Sequence, residues 1–411
     1  MARNYTINLS CASKDCDCEF EKKDFYVCDF CFGPLEVKYD YKKIKHDLSI
    51  DKIQSREKNM WRYKELLPLD NPPSVGFNVG YTPFFKADNL AKALGVKELY
   101  IKNDGVNHPS LSFKDRVVAV ALSKAKELGF KTVGCASTGN LANSVSAQAA
   151  SAGLESFIFI PSDLEESKIM GTSIYGSNVV AVKGNYDEVN RLCTEVLGKH
   201  NWGFVNINLR TYYSEGSKTV GYEIIEQLGW RVPKHIVVCM ASGSLLTKIY
   251  KSIKEFENLG FVEPDGTKIY GAQATGCSPI STAVKNSWET FKPVKPNTIA
   301  KSLAIGNPAD GLNAISLLNS IDSYAEDATD EEIVEAMILL AKTEGFFTET
   351  AGGVTLACAK KLIESGKIPT DESIVLVITG NGLKTQDPLV NKISKPIIIE
   401  PKLESFEEKI S

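Results

Sequence analysis

The sequence predicts an α/β protein built on open, mostly parallel sheets, and three observations carry that expectation. The apolar runs at residues 235–240 and 373–378 are unbroken, which suits strands buried on both faces. Helix-like segments separate the strand-like ones along most of the chain. The 411 residues are 43% hydrophobic and 24% charged, a globular composition with room for two or three folding units at roughly 100–200 residues each.

Taken in order, the first 70 residues read as an appendage. Gly33-Pro34 is a turn signal, residues 35–39 alternate like a short strand, and 41–64 is a charged stretch. The loop cluster Asp70-Asn71-Pro72-Pro73 marks the first boundary. Beyond it come a strand at 97–102 and a helix over 115–128 that ends at Gly129, a C-terminal cap. A strand at 132–136, a helix over 140–152 and a strand at 156–161 follow. Then a helix over 165–171, a strand at 178–182 and a helix over 186–197 are expected. Residues 235–240, 269–272 and 373–378 supply the later strands. The chain shows no internal repeat and no low-complexity segment.

Charge and targeting signals narrow the function. Lys and Arg number 47 against 51 Asp and Glu, a net −4, which excludes a strongly basic nucleic-acid binder but leaves room for a local anion site. Met1-Ala2-Arg3-Asn4-Tyr5-Thr6 leads into no apolar signal segment. Residues 132–154 carry no charge, yet they are too rich in Ser, Thr, Asn and Gln to span a membrane. A cytoplasmic protein is expected. Of the ten cysteines, Cys135, Cys193, Cys239, Cys277 and Cys358 are scattered and read as reduced core thiols. Cys11, Cys16, Cys18, Cys28 and Cys31 crowd the N-terminus. Cys28-Asp29-Phe30-Cys31 has the spacing of a zinc knuckle, whereas the upstream C-x4-C-x-C is irregular. Two readings stand, a small zinc ribbon and a reduced cysteine-rich flap without metal. The irregular spacing slightly favours the flap, so no metal ligand is assigned.

The chemistry is expected at the carboxyl ends of the strands, where open α/β sheets bind ligands. Three small polar loops lie there: Ser137-Thr138-Gly139-Asn140, Ala241-Ser242-Gly243-Ser244 and Thr379-Gly380-Asn381-Gly382. Each adjoins a helix start, where free backbone N–H groups can hold an anion. Singly, each could be an ordinary tight turn. None has the Gly-rich spacing of a dinucleotide or nucleoside-triphosphate loop, so a smaller phosphate-bearing cofactor or substrate is left. A bound cofactor ring beside the helix that starts near Asn140 would also explain the missing charge over 132–154. Ser112-Phe113-Lys114-Asp115-Arg116 adds a lysine at a helix start, where the positive end of the dipole disfavours it. The plain alternative is an exposed lysine paired with Asp115. Beside three anion-holding loops, a Schiff-base lysine is the sharper reading.

The order of these motifs, S-F-K-D, A-S-T-G-N, a Ser/Gly phosphate loop and T-G-N-G-L-K, resembles the threonine synthase family of fold-type II pyridoxal-phosphate enzymes. The resemblance spans roughly residues 80 to 387, and the stretch 28–39 is also similar to the N-terminal region of microbial members. Residues 136–140 and 379–384 point to threonine synthases more than to serine/threonine dehydratases. The resemblance implies two open, mostly parallel-sheet domains of the tryptophan synthase β-like kind, with a small Cys-rich N-terminal appendage. The implied organisation is an appendage over 1–70 and a large cofactor-binding domain from 71–104 and 205–390. A small α/β domain over 105–204 and a tail over 391–411 complete it.

Carried over, Lys114 forms the Schiff base with pyridoxal 5'-phosphate and Asn140 bonds the ring oxygen. Ala241, Ser242, Gly243, Ser244 and Leu245 cradle the cofactor phosphate, and Thr379 faces the pyridine nitrogen. Ser137 and Thr138 hold the substrate carboxylate. Asn206, Asn208, Arg210 and Lys218 lie in the segment that contributes to the substrate phosphate site. Two departures from the family pattern stand out. His108-Pro109-Ser110-Leu111-Ser112 stands where N-P-T-G-S is usual, and Leu141 follows Asn140 where a hydroxyl residue is frequent.

The implied activity is a carbon–oxygen lyase that converts O-phospho-L-homoserine and water to L-threonine and phosphate. O-phospho-L-homoserine and a second copy of the chain, as a homodimer, are the expected partners, with no nucleic acid and no membrane. The alternatives are another fold-type II lyase or β-replacing enzyme acting on serine, threonine or phosphoserine, and a non-catalytic cofactor-binding metabolite sensor. Retention of Lys114 argues against the sensor.

Overall fold

The computed structural model describes residues 4–13, 16–162, 166–184 and 186–410. The chain opens with strands β1 (Thr6–Cys11), β2 (Glu19–Phe20) and β3 (Leu35–Tyr39), an antiparallel sheet in the order β2-β1-β3. The charged stretch after it folds into helices α1 (Tyr41–Asp47) and α2 (Ile50–Gln54) and a 3₁₀ segment, Met60–Leu66. Asp40, Ser49 and Asn59 each cap one of these with a side-chain oxygen on a first-turn amide, a signal that alternation of charge alone conceals.

Next come β4 (Phe84–Lys86), α3 (Asp88–Leu94), β5 (Glu98–Asn103) and α4 (Lys114–Glu127). Then follow β6 (Thr132–Ala136), α5 (Asn140–Ala152), β7 (Glu155–Pro161), α6 (Glu166–Ser173), β8 (Asn178–Val182), α7 (Tyr186–Leu197) and β9 (Gly203–Phe204). Residue 165, the expected start of one helix, lies outside the described residues. Strands β6 to β9 make a four-stranded sheet, β8-β7-β6-β9, parallel throughout.

The chain continues through α8 (Arg210–Glu215), α9 (Lys218–Gln227), β10 (His235–Cys239), α10 (Ser244–Leu259), β11 (Lys268–Ala274) and α11 (Pro279–Lys285). Helix α12 (Gly311–Ser320), β12 (Ala325–Ala328), α13 (Asp330–Glu344), α14 (Thr350–Glu364), β13 (Ser373–Ile378) and α15 (Leu403–Ile410) complete it. The second large sheet runs β12-β11-β10-β13-β5-β4, parallel except for the antiparallel edge strand β4.

Both faces of this six-stranded sheet are covered, which is why its strands read as unbroken apolar runs. Ile236, Val238, Val375 and Val377 enter one core together with Ile249 and Ile253 of α10. Their neighbours Val237, Cys239, Ile374, Leu376 and Ile378 enter the opposite core with Met337 of α13 and Val354 of α14. The N-terminal sheet is not loosely attached. Leu9, Leu35, Val37 and Tyr39 join the same core as α4 and α10. Uncharged residues 132–154 also have a simpler cause than a neighbouring ring. Strand β6 is buried throughout, and α5 buries most of its middle turns. Among the described residues no helix is long and apolar enough to cross a membrane.

Candidate active site

Lys114 is the first residue of α4, and the segment before it is stitched to the loop after β13. Phe113 N–H donates to Thr379 O at 2.8 Å, Asn381 N–H donates to Leu111 O at 3.1 Å, and Ser112 bridges Gly380. Both expected motifs, S-F-K-D and T-G-N-G, thus line one place. The His108–Pro109 peptide is cis, and Leu111 adopts φ +59°, the left-handed region that suits the glycine usual at this point. Lys384, also from the second motif, donates to Ser110 O at 2.6 Å.

The Lys114 ammonium meets the Tyr213 hydroxyl of α8 at 2.9 Å and sits over the Phe113 ring. It pairs with no carboxylate among the described residues. Asp115, the plain alternative partner, turns inward to Ser110 and to Ser144 at 2.7 Å each, and burial pushes its carboxyl above the usual range. A half-buried lysine without a counter-ion is chemically available.

Asn140, the first residue of α5, donates to Glu349 Oε2 at 2.8 Å, and Thr379 donates to Glu349 Oε1 at 3.3 Å. The structure thereby brings Asn140 and Thr379 together around a carboxyl group that sequence reasoning missed. Burial raises the Glu349 pKa, against the pull of Asn140, Lys384, Thr379 and Lys114. Glu349 occupies the N-cap of α14, a position that favours Ser, Thr, Asp or Asn, and it makes no capping bond there. Gly380 lets the carboxyl group lie close, since a Cβ there would lie 2.3 Å from it and the glutamate side chain would have to shift.

The loop from β10 to α10 presents Ala241, Ser242, Gly243, Ser244 and Leu245. Gly243 takes φ +95°, and a Cβ on it would crowd Asp310 O and Ala314 at 3.0 Å. The 16-residue helix α10 starts there without a capping side chain, so its first amides are open to an anion. Helix α5 likewise starts at Gly139 without a cap, beside the half-buried Ser137 and Thr138. Ser112 Oγ, two residues before Lys114, is buried with no hydrogen-bond partner. These features fit pyridoxal phosphate: a free lysine amine, uncapped amides for a phosphate, and a neutral hydroxyl, Thr379, for the ring nitrogen.

The expected substrate-phosphate residues divide. Arg210 starts α8, the helix that carries Tyr213, and bonds Asp310 at 2.5 Å; the Asp310 amide in turn donates to Ser242 O at 3.1 Å. Arg210 is therefore tied to the anion loop. Asn206 Oδ1, in the turn after β9, is buried and unpartnered. Lys218 and Asn208 require a correction. Lys218 is fully buried against Glu215 at 2.7 Å and Glu255 at 3.1 Å, under the Tyr39 ring. Asn208 is spent on the Phe204 amide at 2.7 Å and on Asp24 at 3.0 Å. Both are structural, because closed bonding leaves neither a free donor toward the cleft. A cavity of about 450 Å³ beside Arg210 is lined also by Glu36, Lys248 and Asp310 and touches none of Lys114, Asn140 or Thr379.

Residues 75–380 match the family described as "Pyridoxal-phosphate dependent enzyme". The chain is 40% identical over 378 residues to a threonine synthase of Methanocaldococcus jannaschii, covering 91% of this chain and 92% of that one. It is 35% identical over 399 residues to a threonine synthase of Methanosarcina acetivorans, with 96% and 97% covered. Among solved structures, maize serine racemase superposes with a TM-score of 0.65 at 19% identity, covering 84% of this chain and 96% of that one. Processed threonine deaminase isoform 2 of Solanum lycopersicum gives 0.64 at 21% identity, with 76% and 87% covered. These last two likenesses establish the fold. With two-fifths identity over nine-tenths of its length, the chain belongs to the threonine synthase family of pyridoxal-phosphate-dependent enzymes.

Proposed function

We propose that this enzyme converts O-phospho-L-homoserine and water to L-threonine and phosphate, with Lys114 as its catalytic residue. The observation that carries the assignment of Lys114 is its amine, half-buried, bonded to Tyr213 and unpaired among the described carboxylates. Bound at this amine, pyridoxal phosphate supplies the electron sink for carbanion chemistry. Asn140 holds the ring oxygen, Thr379 offers the ring nitrogen a neutral hydroxyl, and the Ser242–Leu245 amides hold the phosphate. A hydroxyl there would not stabilise a charged pyridinium as an aspartate would. Ser137 and Thr138 bind the substrate carboxylate at the uncapped start of α5. Arg210 and Asn206 receive the substrate phosphate.

When not bonded to the cofactor, Lys114 Nζ would take the proton from the substrate Cα and carry protons at Cβ and Cγ. Phosphate leaves from Cγ and water adds at Cβ. Tyr213 holds the amine in position between these transfers. The reading includes a large unit of residues 71–104 and 205–390, a small unit of 105–204, a cytoplasmic location and a homodimeric state. Light scattering of the purified protein checks the last of these.

Purified enzyme incubated with O-phosphohomoserine should release phosphate and threonine in equal amounts. Ammonia from serine, threonine or phosphoserine, with none of those products, would replace this reading by a dehydratase. Cofactor binding without turnover of any of them would leave a sensor.

A further inference from the structure

The N-terminal sheet gathers four of its five cysteines into one cluster. Cys11 ends β1, Cys16 lies in the loop beyond it, and Cys28 and Cys31 form the turn that leads to β3. Their four Sγ atoms all lie within 4.8 Å of one another, with Cys11 and Cys31 3.3 Å apart and Cys16 and Cys28 3.7 Å apart. Sulfurs at about 2.3 Å from a tetrahedral zinc stand about 3.8 Å from each other. Two disulfides would need only two short pairs and no approach between the pairs. The cluster also selects among the cysteines. Cys18 stands outside it and contributes its carbonyl, which accepts the Cys11 amide at 2.9 Å. On the other side, the Cys28 amide donates to Gly33 O and the Phe32 amide to Cys28 O, both at 2.9 Å. These bonds curl the 28–33 turn so that both of its sulfurs face the first pair.

We infer that Cys11, Cys16, Cys28 and Cys31 bind one zinc ion as a closed structural site. Four thiolates in a tetrahedral set suit zinc, and with four protein ligands no position is left open for substrate. Binding forms four Zn–S bonds and transfers no electrons; each thiol that is protonated beforehand gives its proton to solvent. The ion clamps the end of β1 to the turn before β3. From β3, Tyr39 donates to Glu215 of α8 at 2.8 Å and Glu36 meets Lys248 of α10 at 3.2 Å. Tyr213 of the same α8 bonds Lys114, so the metal supports the site only through packing. The inference does not depend on the substrate assigned above.

The test uses the full-length holoenzyme, purified under reducing conditions without chelator. Metal analysis should find about one zinc per chain. Replacing the zinc by Co²⁺ should give the visible bands of a tetrahedral cobalt thiolate, and Cys18→Ser should leave both results unchanged. Cys31→Ser, at the exposed member of the cluster, should lose the bands or the bound metal. If that variant does not fold, wild-type protein decides alone, by zinc content and by the cobalt spectrum after exchange. Removing zinc should also open residues 16–39 to protease before the rest of the chain. Wild-type protein with neither zinc nor cobalt bands overturns the inference. So does loss of metal on Cys18→Ser alone, or recovery of Cys11–Cys31 and Cys16–Cys28 disulfides in place of metal.

Discussion

Two lysines open helices in this protein, and their surroundings differ in one respect that decides their use. Lys114 is the first residue of α4 and Lys218 the first of α9, and at both points the helix dipole opposes a positive charge. Around Lys218 the protein supplies compensation. Glu215 and Glu255 pair with it, Tyr39 and Tyr222 cover it, and nothing of it reaches solvent. Around Lys114 it supplies a tyrosine hydroxyl and an aromatic face, but no carboxylate within ion-pair distance among the described residues. Glu349, the nearby acid, is engaged with Asn140 and Thr379 instead. A paired, enclosed lysine holds structure; an unpaired, half-open one can do chemistry. Two residues beyond Lys114, the same helix shows the first pattern again. Arg116 is saturated by Asp104 and Glu223 and fully buried.

The largest expected effect would break the comparison outright. Lys114→Ala should remove the bound cofactor's characteristic visible absorbance and lower turnover by about 10²–10⁴-fold or more, the range for a proton-transferring side chain, while leaving the unfolding midpoint close to wild type. Turnover at the normal rate would show that the reactive amine is elsewhere. Lys218→Ala should do the reverse. It takes from the buried Glu255 its ion-pair partner and leaves Glu215 with Lys248 and Lys251 alone, so chemical denaturation should show a loss of about 3–5 kcal/mol, with the cofactor spectrum of the folded fraction unchanged. Selective loss of substrate binding would instead restore Lys218 to the active site.

A pH titration of stability sharpens the same contrast. Burial pushes the Glu215 carboxyl up, but Lys218, Lys248 and Lys251 overcome it and hold it well below the usual carboxylate range. Its folded pKa thus lies below its unfolded one, so its stabilisation is present above about pH 4–5 and is lost as the pH falls further. Glu215→Gln should flatten that acid limb of the unfolding midpoint. An unchanged limb would mean that other carboxylates set it.

If Arg210 holds the substrate phosphate as proposed, Arg210→Ala removes a charge-assisted bond to it. The expected cost is roughly 1.5–3 kcal/mol, read as about a ten- to hundredfold higher KM with an unaltered cofactor spectrum. Normal substrate affinity would move the phosphate pocket away from α8. The smallest effect concerns the approach to Lys114. Leu111→Gly relieves a left-handed backbone at φ +59° and should raise stability by up to about 1 kcal/mol in equilibrium unfolding. A clear loss would mean that the leucine side chain, rather than the backbone angle, shapes this loop.

Much of the fold was legible because it rests on local periodicity. The strands at 132–136, 178–182 and 373–378 and the helices over 140–152 and 186–197 follow from apolar runs and turn residues alone. Short segments escaped. Strand β4 has three residues, and α1 and α2 begin on caps within a charged stretch, where no periodic signal can accumulate. The motif loops likewise stand out in the chain, since a phosphate cradle requires small residues at helix starts. Which charged residue faces a cleft leaves no such trace. Arg210 and Lys218 look alike in sequence, eight positions apart, and only packing separates the one tied to the anion loop from the one sealed between two glutamates. Glu349 was invisible for the same reason, being brought to Asn140 across 209 positions of chain. By itself the sequence determined the α/β elements, the order of the loops and the lysine candidate, since these depend on neighbours a few residues apart. The tertiary structure alone decided which lysine is unpaired, which acid stands beside it and which four cysteines meet, because ion pairing, burial and metal geometry depend on residues distant in the chain.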